Sequence, residues 1–108
     1  MKRAIISVYD KTGIVDFAKE LNKMGFKIIS TKGTLKKLKD EGVKFVKHIS
    51  EVTNFPEILG GRIKTEHPKL IGGILAQKGN KEDLKEIEKF QIEPVDLVIC
   101  NLYASGEV

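Results

Sequence analysis

The stretch Gly61-Arg62-Ile63-Lys64-Thr65-Glu66-His67-Pro68 gathers an arginine, a lysine, a glutamate and a histidine. It has neither helical nor alternating periodicity and carries a glycine and a proline, so it reads as a loop. The Arg62 guanidinium suits planar, two-pronged recognition of a phosphate or carboxylate. Lys64 can donate to an oxygen that gains charge, or move a proton if it is desolvated. His67 offers a further acid–base group, although a histidine before a proline is equally an ordinary turn residue.

Ser30-Thr31-Lys32-Gly33-Thr34 supplies hydroxyls, a glycine that admits close backbone approach, and the free N–H groups of a helix start. Together these make a phosphate cradle. The same segment also reads as a plain capped helix start. Lys11 follows an apolar run and can bring a cation to the same anion; a lysine at a helix start opposes the macrodipole, which favours a functional reason for it. Cys100-Asn101-Leu102-Tyr103 closes the last apolar run. Cys100 is expected to be a small buried hydrophobe. Asn101 and Tyr103, two residues apart, share a face at strand spacing, and both can donate to a developing oxyanion. His48, His67 and Cys100 match no zinc spacing, so no metal site is expected.

The elements that must position these groups alternate. Residues 3–9 form a β-branched apolar run. A helix follows, capped by Asp10 or Thr12, with Ile14, Phe17, Ala18, Leu21 and Met24 inward and Gly25 at its end. Residues 26–30 read as a second strand, a helix with Leu35 and Leu38 inward ends at Gly42, and residues 43–49 read as a third strand. Asn54-Phe55-Pro56-Glu57 has a capping-box pattern and predicts the start of a short helix. Residues 70–76 fit a strand or a buried turn. Asn80 caps a helix with Leu84 and Ile87 inward, reaching Phe90. Residues 95–102 are the most hydrophobic run and read as a central strand.

This alternation implies βαβ units with right-handed crossovers and a mostly parallel sheet, an α/β fold. Ligands in such sheets bind beyond the carboxyl ends of the strands. The segments 9–12, 30–34 and 101–103 fall there, and the loop 62–67 is a fourth candidate.

The chain has 108 residues with 19 Lys+Arg against 15 Asp+Glu, a net charge of +4, and is expected to form a single domain over residues 1–108. Hydrophobic residues are 41% and charged residues 31%, a balance that excludes disorder. No apolar run is long enough to span a membrane, and no secretory signal pattern opens the chain, so a cytoplasmic location is expected. The lysines of the last helix are interleaved with acids, as on a solvated face, so nucleic acid is not an expected partner and an anionic small molecule is. One cysteine excludes a disulfide framework.

Six segments occur in an order that carries a resemblance: Ser7-Val8-Tyr9-Asp10-Lys11-Thr12-Gly13, Ile28-Ile29-Ser30-Thr31-Lys32-Gly33-Thr34, Val52-Thr53-Asn54-Phe55-Pro56-Glu57, Gly61 to Pro68, Gly72-Gly73-Ile74-Leu75-Ala76, and Val98-Ile99-Cys100-Asn101-Leu102-Tyr103. The series resembles the amino-terminal IMP cyclohydrolase domains of the bifunctional purine-biosynthesis enzymes, which also carry AICAR formyltransferase. The resemblance implies a methylglyoxal-synthase-like, three-layer α/β domain that closes formyl-AICAR to IMP with loss of water and no cofactor. It implies that Lys11, Thr31, Gly33 and Thr34 hold the nucleotide phosphate, and Lys32, where the pattern has a second glycine, either adds a cation for that phosphate or fills the cradle. Arg62, Thr65 and Cys100 would line the remaining pocket, with Lys64, Asn101 and Tyr103 at the reacting atoms. It also implies purine ribotides (formyl-AICAR, IMP) as ligands, and a homodimer.

Several positions depart from the pattern. Lys32 replaces a second glycine, Glu66 a leucine and Ile71 a histidine, and Ala104-Ser105 stands where Pro-Phe is usual. An Asp and a further Lys that the family draws from later segments are missing, so the site is expected to be incomplete. The alternative is a ribotide-binding module without turnover. Methylglyoxal synthase itself ranks lower, because Gly60-Gly61 is followed by Arg62 rather than by an aspartate.

Overall fold

A computed structural model describes residues 2–59 and 67–101. The chain divides into two compact units, Met1–His48 with Leu97–Val108, and Ile49–Asp96.

The first unit is built on a four-stranded sheet: β1 (Lys2–Ser7), β2 (Phe26–Ser30), β3 (Val46–His48) and β4 (Leu97–Cys100). The strand order is β3-β2-β1-β4 and every pairing is parallel. This is the α/β class that the strand–helix alternation implies. Parallel strands need crossovers, and β1 and β2 are joined by helix α1 (Ile14–Lys23), β2 and β3 by helix α2 (Lys32–Asp40). Ala4, Ile6 and Val8 pack with Ile14, Ala18 and Leu21 of α1, Phe26 and Ile28 of β2, Leu38 of α2, and Val43. Each fully buried Ile or Leu of this cluster contributes about 1.5–3 kcal/mol. Ile5 and Ile29, on the alternate side of their strands, are buried as well, as expected of a parallel sheet apolar on both faces.

Several expectations are corrected. Phe17 and Met24 were expected inward at helical spacing, yet they are 47% and 66% exposed; the buried stripe of α1 is narrower, Ile14, Ala18 and Leu21. Neither Asp10 nor Thr12 caps α1. Gly13 takes the N-cap position with φ 74°, while the Asp10 carboxylate accepts from Thr12 N and Thr12 Oγ1 in a tight turn just before it. The third strand begins only at Val46. Upstream, the Asn22 side chain takes both the N–H and the carbonyl of Lys44, Val43 N donates to Leu38 O, and Phe45 is left-handed with φ 55°, so the strand starts after Phe45, whose carbonyl accepts from Ile28 N. Residues 95–102 were expected to form a central strand, but β4 spans only Leu97–Cys100 and lies at the end of the described sheet beside β1. That position explains its half-exposed pattern and corrects the expectation for Cys100, which is exposed.

The second unit holds α3 (Ser50–Thr53), α4 (Pro68–Leu75) and α5 (Lys81–Lys89). The capping-box pattern at Asn54 does not begin a helix. Asn54 adopts φ 57° and ends α3, and the Thr53 hydroxyl bonds Phe55 through both N–H and carbonyl. Residues 70–76, undecided between strand and turn, are helical. His67 Nδ1 accepts from Lys69 N, and Pro68 occupies the first turn. The two glycines inside α4 serve packing. A β-carbon on Gly73 would lie 2.3 Å from the Glu93 carbonyl oxygen, and Val95 N donates to Gly73 O. α5 starts as expected at Asn80, whose Oδ1 accepts from Glu82 N and Asp83 N. Ile87 is its buried residue, whereas Leu84 is 37% exposed rather than inward. Lys69 Nζ donates to the carbonyls of Phe90 and Gln91, closing the end of α5.

Candidate anion site at the strand ends

The carboxyl ends of β1, β2 and β4 bring together segments far apart in sequence. β1 pairs Ile6 with Ser30 and Ser7 with Cys100, so the loops leaving the three strands emerge side by side. Beyond Ser30 the chain turns directly into α2. Thr31 is its N-cap residue but makes no cap bond with its own side chain, so the first-turn N–H groups lack the bond an N-cap usually supplies. Instead the Thr31 hydroxyl lies 3.2 Å from the Ser7 hydroxyl. The Ser30 hydroxyl is fully buried and has no hydrogen-bond partner among the described residues.

Lys11 supplies the positive charge. Its ammonium donates to the carbonyls of Val8 at 3.0 Å and Tyr9 at 3.3 Å. It also stands 3.7 Å from where a β-carbon on Gly33 would be. A glycine at the second position of α2 thus leaves open the space between the ammonium and the helix start. An ammonium beside the uncapped amides of a first turn, with the Thr31 hydroxyl at the N-cap, supplies the ingredients of an oxyanion site. Lys32, replacing a glycine of the resembled pattern, is the first residue of α2 and is exposed.

Thr34 is nearly fully buried. Its hydroxyl lies 3.4 Å from both the N–H and the carbonyl of Val8, so it fastens α2 to the end of β1. Asn101 does the same from the other side. Its Oδ1 accepts from Tyr9 N at 2.7 Å and Asp10 N at 3.3 Å, and its Nδ2 donates to Asp10 O at 2.8 Å. The bonds from Thr12, the hydroxyl first and then the N–H, hold the Asp10 carboxyl below its usual range, with Lys11 adding a smaller push in the same direction. Cys100 carries an exposed free thiol at the end of β4.

Of the site residues expected from the sequence, the structure gathers Lys11, Thr31, Gly33, Thr34 and Asn101 into this one region. Arg62, Lys64, Thr65 and Tyr103 lie outside the described residues. Ser7 was not anticipated as part of the site. The signal was available, since it is a hydroxyl that ends an apolar strand beside the Ser30-Thr31 step, but strand register is needed to read it. The second unit has an open apolar cleft of its own, lined by Gly72, Leu75, Asp83, Ile87, Phe90 and Ile92, with no cation in its wall. Among the described residues no cluster of three or more His, Cys, Asp or Glu side chains could hold a metal, and no helix is long and apolar enough to cross a membrane.

Comparison with known proteins agrees with the α/β fold. Residues 13–108 match the model of the MGS-like domain. The bifunctional purine biosynthesis protein PurH of Persephonella marina is 55% identical over 102 residues, 94% of this chain and 20% of that protein. PurH of Bacillus subtilis is 53% identical over 107 residues, 99% of this chain and 21% of that protein. A solved structure described as that of ForH superimposes with a TM-score of 0.83 at 36% identity, covering 94% of this chain and 53% of the other. The chain spans about a fifth of the length of the curated relatives it matches, and the similarity lies in their amino-terminal region.

Proposed function

This chain belongs to the MGS-like domain family, and from that membership we propose that it is an IMP cyclohydrolase-type domain whose cradle receives the phosphate of a purine ribotide. The observation that carries the reading is Lys11 Nζ, 3.7 Å from the β-carbon position that Gly33 leaves empty at the start of α2. Similarity to PurH supports a purine ribotide as the ligand, and the cradle is the proposed place for its dianion.

The chemistry asked of such a domain is intramolecular. In formyl-AICAR the carboxamide nitrogen attacks the formyl carbon, the formyl oxygen gains charge, and water leaves as the ring closes to IMP. Holding the phosphate fixes one end of the substrate, so that binding energy at the cradle restricts the two reacting groups. Lys64 is the proposed donor to the charged oxygen and Tyr103 its neighbour. Arg62 and Thr65 line the base pocket in the same proposal, and Lys32 is proposed as a second cation for the phosphate. The reading takes the domain to be cytoplasmic and able to pair with a second copy.

The described part of the proposed site offers an anion the Lys11 ammonium and the first-turn amides of α2, and Lys64 and Tyr103, the proposed reacting groups, lie outside the described residues. The alternative reading is a module that holds a ribotide without converting it. The test measures ring closure of formyl-AICAR by absorbance in the wild type and in Lys64→Ala, with IMP binding measured alongside. Turnover that Lys64→Ala abolishes supports the cyclohydrolase. Binding without turnover leaves the module, and absence of both removes the ribotide reading.

A further inference from the structure

Asn101 stands at the end of β4, where an extended chain would offer its next peptide group to β1. β1 and β4 run in register to Ser7 and Cys100. At the next step the partner of the β1 chain is a side chain. The Asn101 carboxamide presents one carbonyl to Tyr9 N and Asp10 N and one N–H to Asp10 O, which reproduces the donor–acceptor pair of a peptide. The backbone thus held runs directly into Lys11. The Lys11 ammonium folds back onto the carbonyls of Val8 and Tyr9, and that fold places it beside Gly33. A three-bond clamp therefore sits one residue from the cation and takes the N–H groups of the two peptides whose carbonyls the cation uses.

We infer that Asn101 is a positioning residue: its amide acts through the Tyr9–Asp10 backbone to hold Lys11 over the start of α2. Its Oδ1 is occupied by two N–H groups, so it serves the anion end of the site rather than the atoms of the base. The inference rests on the phosphate half of the preceding reading and does not need the purine half. Without the clamp the loop gains freedom, Lys11 spreads over more positions, and the cost appears as weaker binding of any phosphate ester, whatever it carries.

The experiment titrates IMP and ribose 5-phosphate into the wild type, Asn101→Ala, Lys11→Met and the double variant by calorimetry. Asn101→Ala is expected to weaken both ligands by the same factor, about tenfold, and to change affinity by less than about twofold in the Lys11→Met background, the non-additivity of residues that act through one another. Amide exchange at Tyr9 and Asp10 is expected to speed up in Asn101→Ala. Should that variant fail to fold, Asn101→Asp keeps the acceptor, removes the donor to Asp10 and must again weaken both ligands alike. A loss confined to IMP, a full additive loss in the double variant, or a wild type that binds neither ligand overturns the inference. Ribose 5-phosphate bound as tightly as IMP would instead remove the purine reading and leave the role of Asn101 intact.

Discussion

The ammonium of Lys11 and the α-carbon side of Gly33 face one another across a gap that a single methyl group would begin to fill. The gap exists because residue 33 has no side chain, and no positive φ demands a glycine there. Gly33→Ala is therefore expected to separate stability from binding. A β-carbon would meet Lys11 at 3.7 Å, an ordinary contact, and alanine in place of glycine in a helix adds about 0.5–1 kcal/mol of stability. The urea midpoint should rise while affinity for IMP and for ribose 5-phosphate falls. A variant that binds as well as the wild type would show that the ligand does not use this gap.

Thr34→Val tests the buried hydroxyl that joins α2 to β1. Valine keeps the volume and removes the hydroxyl oxygen that accepts from Val8 N. The expected cost is about 1 kcal/mol of unfolding free energy, the usual net worth of one such bond, read from urea unfolding. Because the hydroxyl faces Val8 rather than open space, any loss of phosphate affinity should be the smaller effect.

Gly73→Ala should be the most damaging of the small substitutions. Its β-carbon would lie 2.3 Å from the Glu93 carbonyl oxygen and 3.1 Å from Val95 Cγ2, and a carbonyl tied into the backbone has little room to retreat. Overpacking of this kind costs about 1–3 kcal/mol or more. Thermal unfolding of the purified variant measures it, and an unchanged midpoint would contradict the close approach of residues 93–95 to α4.

Asp10 gives a pH dependence with a definite sign. Its carboxyl is held below the ordinary value of 3.8 in the folded chain. It therefore contributes stability that is present above that value and lost as pH falls through the lowered folded value. Asp10→Ala is expected to lower the urea midpoint at pH 7 and to leave a smaller acid-induced drop than in the wild type. Equal differences between the two proteins at pH 7 and at pH 2 would show that the charge on Asp10 is not what matters.

What the sequence revealed and what it hid follow from the range of the interactions. β2, α2 and α5 were legible because their determinants are local: the apolar run 26–30, the Gly42 stop, and Asn80 as a cap. α4 was obscured because Gly72 answers to Ile92 and Gly73 to Glu93 and Val95, some twenty residues away, and glycine on local grounds argues against a helix. The false helix at Asn54 came from a pattern whose first residue turned out to be left-handed, ending one helix instead of beginning the next. Lys11, Thr31 and Gly33 could be grouped in advance because strand ends converge in any parallel sheet. The tasks of Thr34 and Asn101 could not, since which backbone groups each would bond depends on register between β1, α2 and β4.

The placement of β4 bears on how the molecule comes to be made. Residues 2–48 carry three neighbouring strands, but the free side of β1 waits for a partner encoded after the whole stretch 49–96. On a ribosome that side emerges early and stays open, an exposed template for pairing with other nascent chains. The stretch 49–96 is contiguous and can collapse in the interval, which shortens the distance β4 must search to dock. Stalling translation before Leu97 should therefore leave a species more prone to associate than either the finished chain or one halted after Asn101.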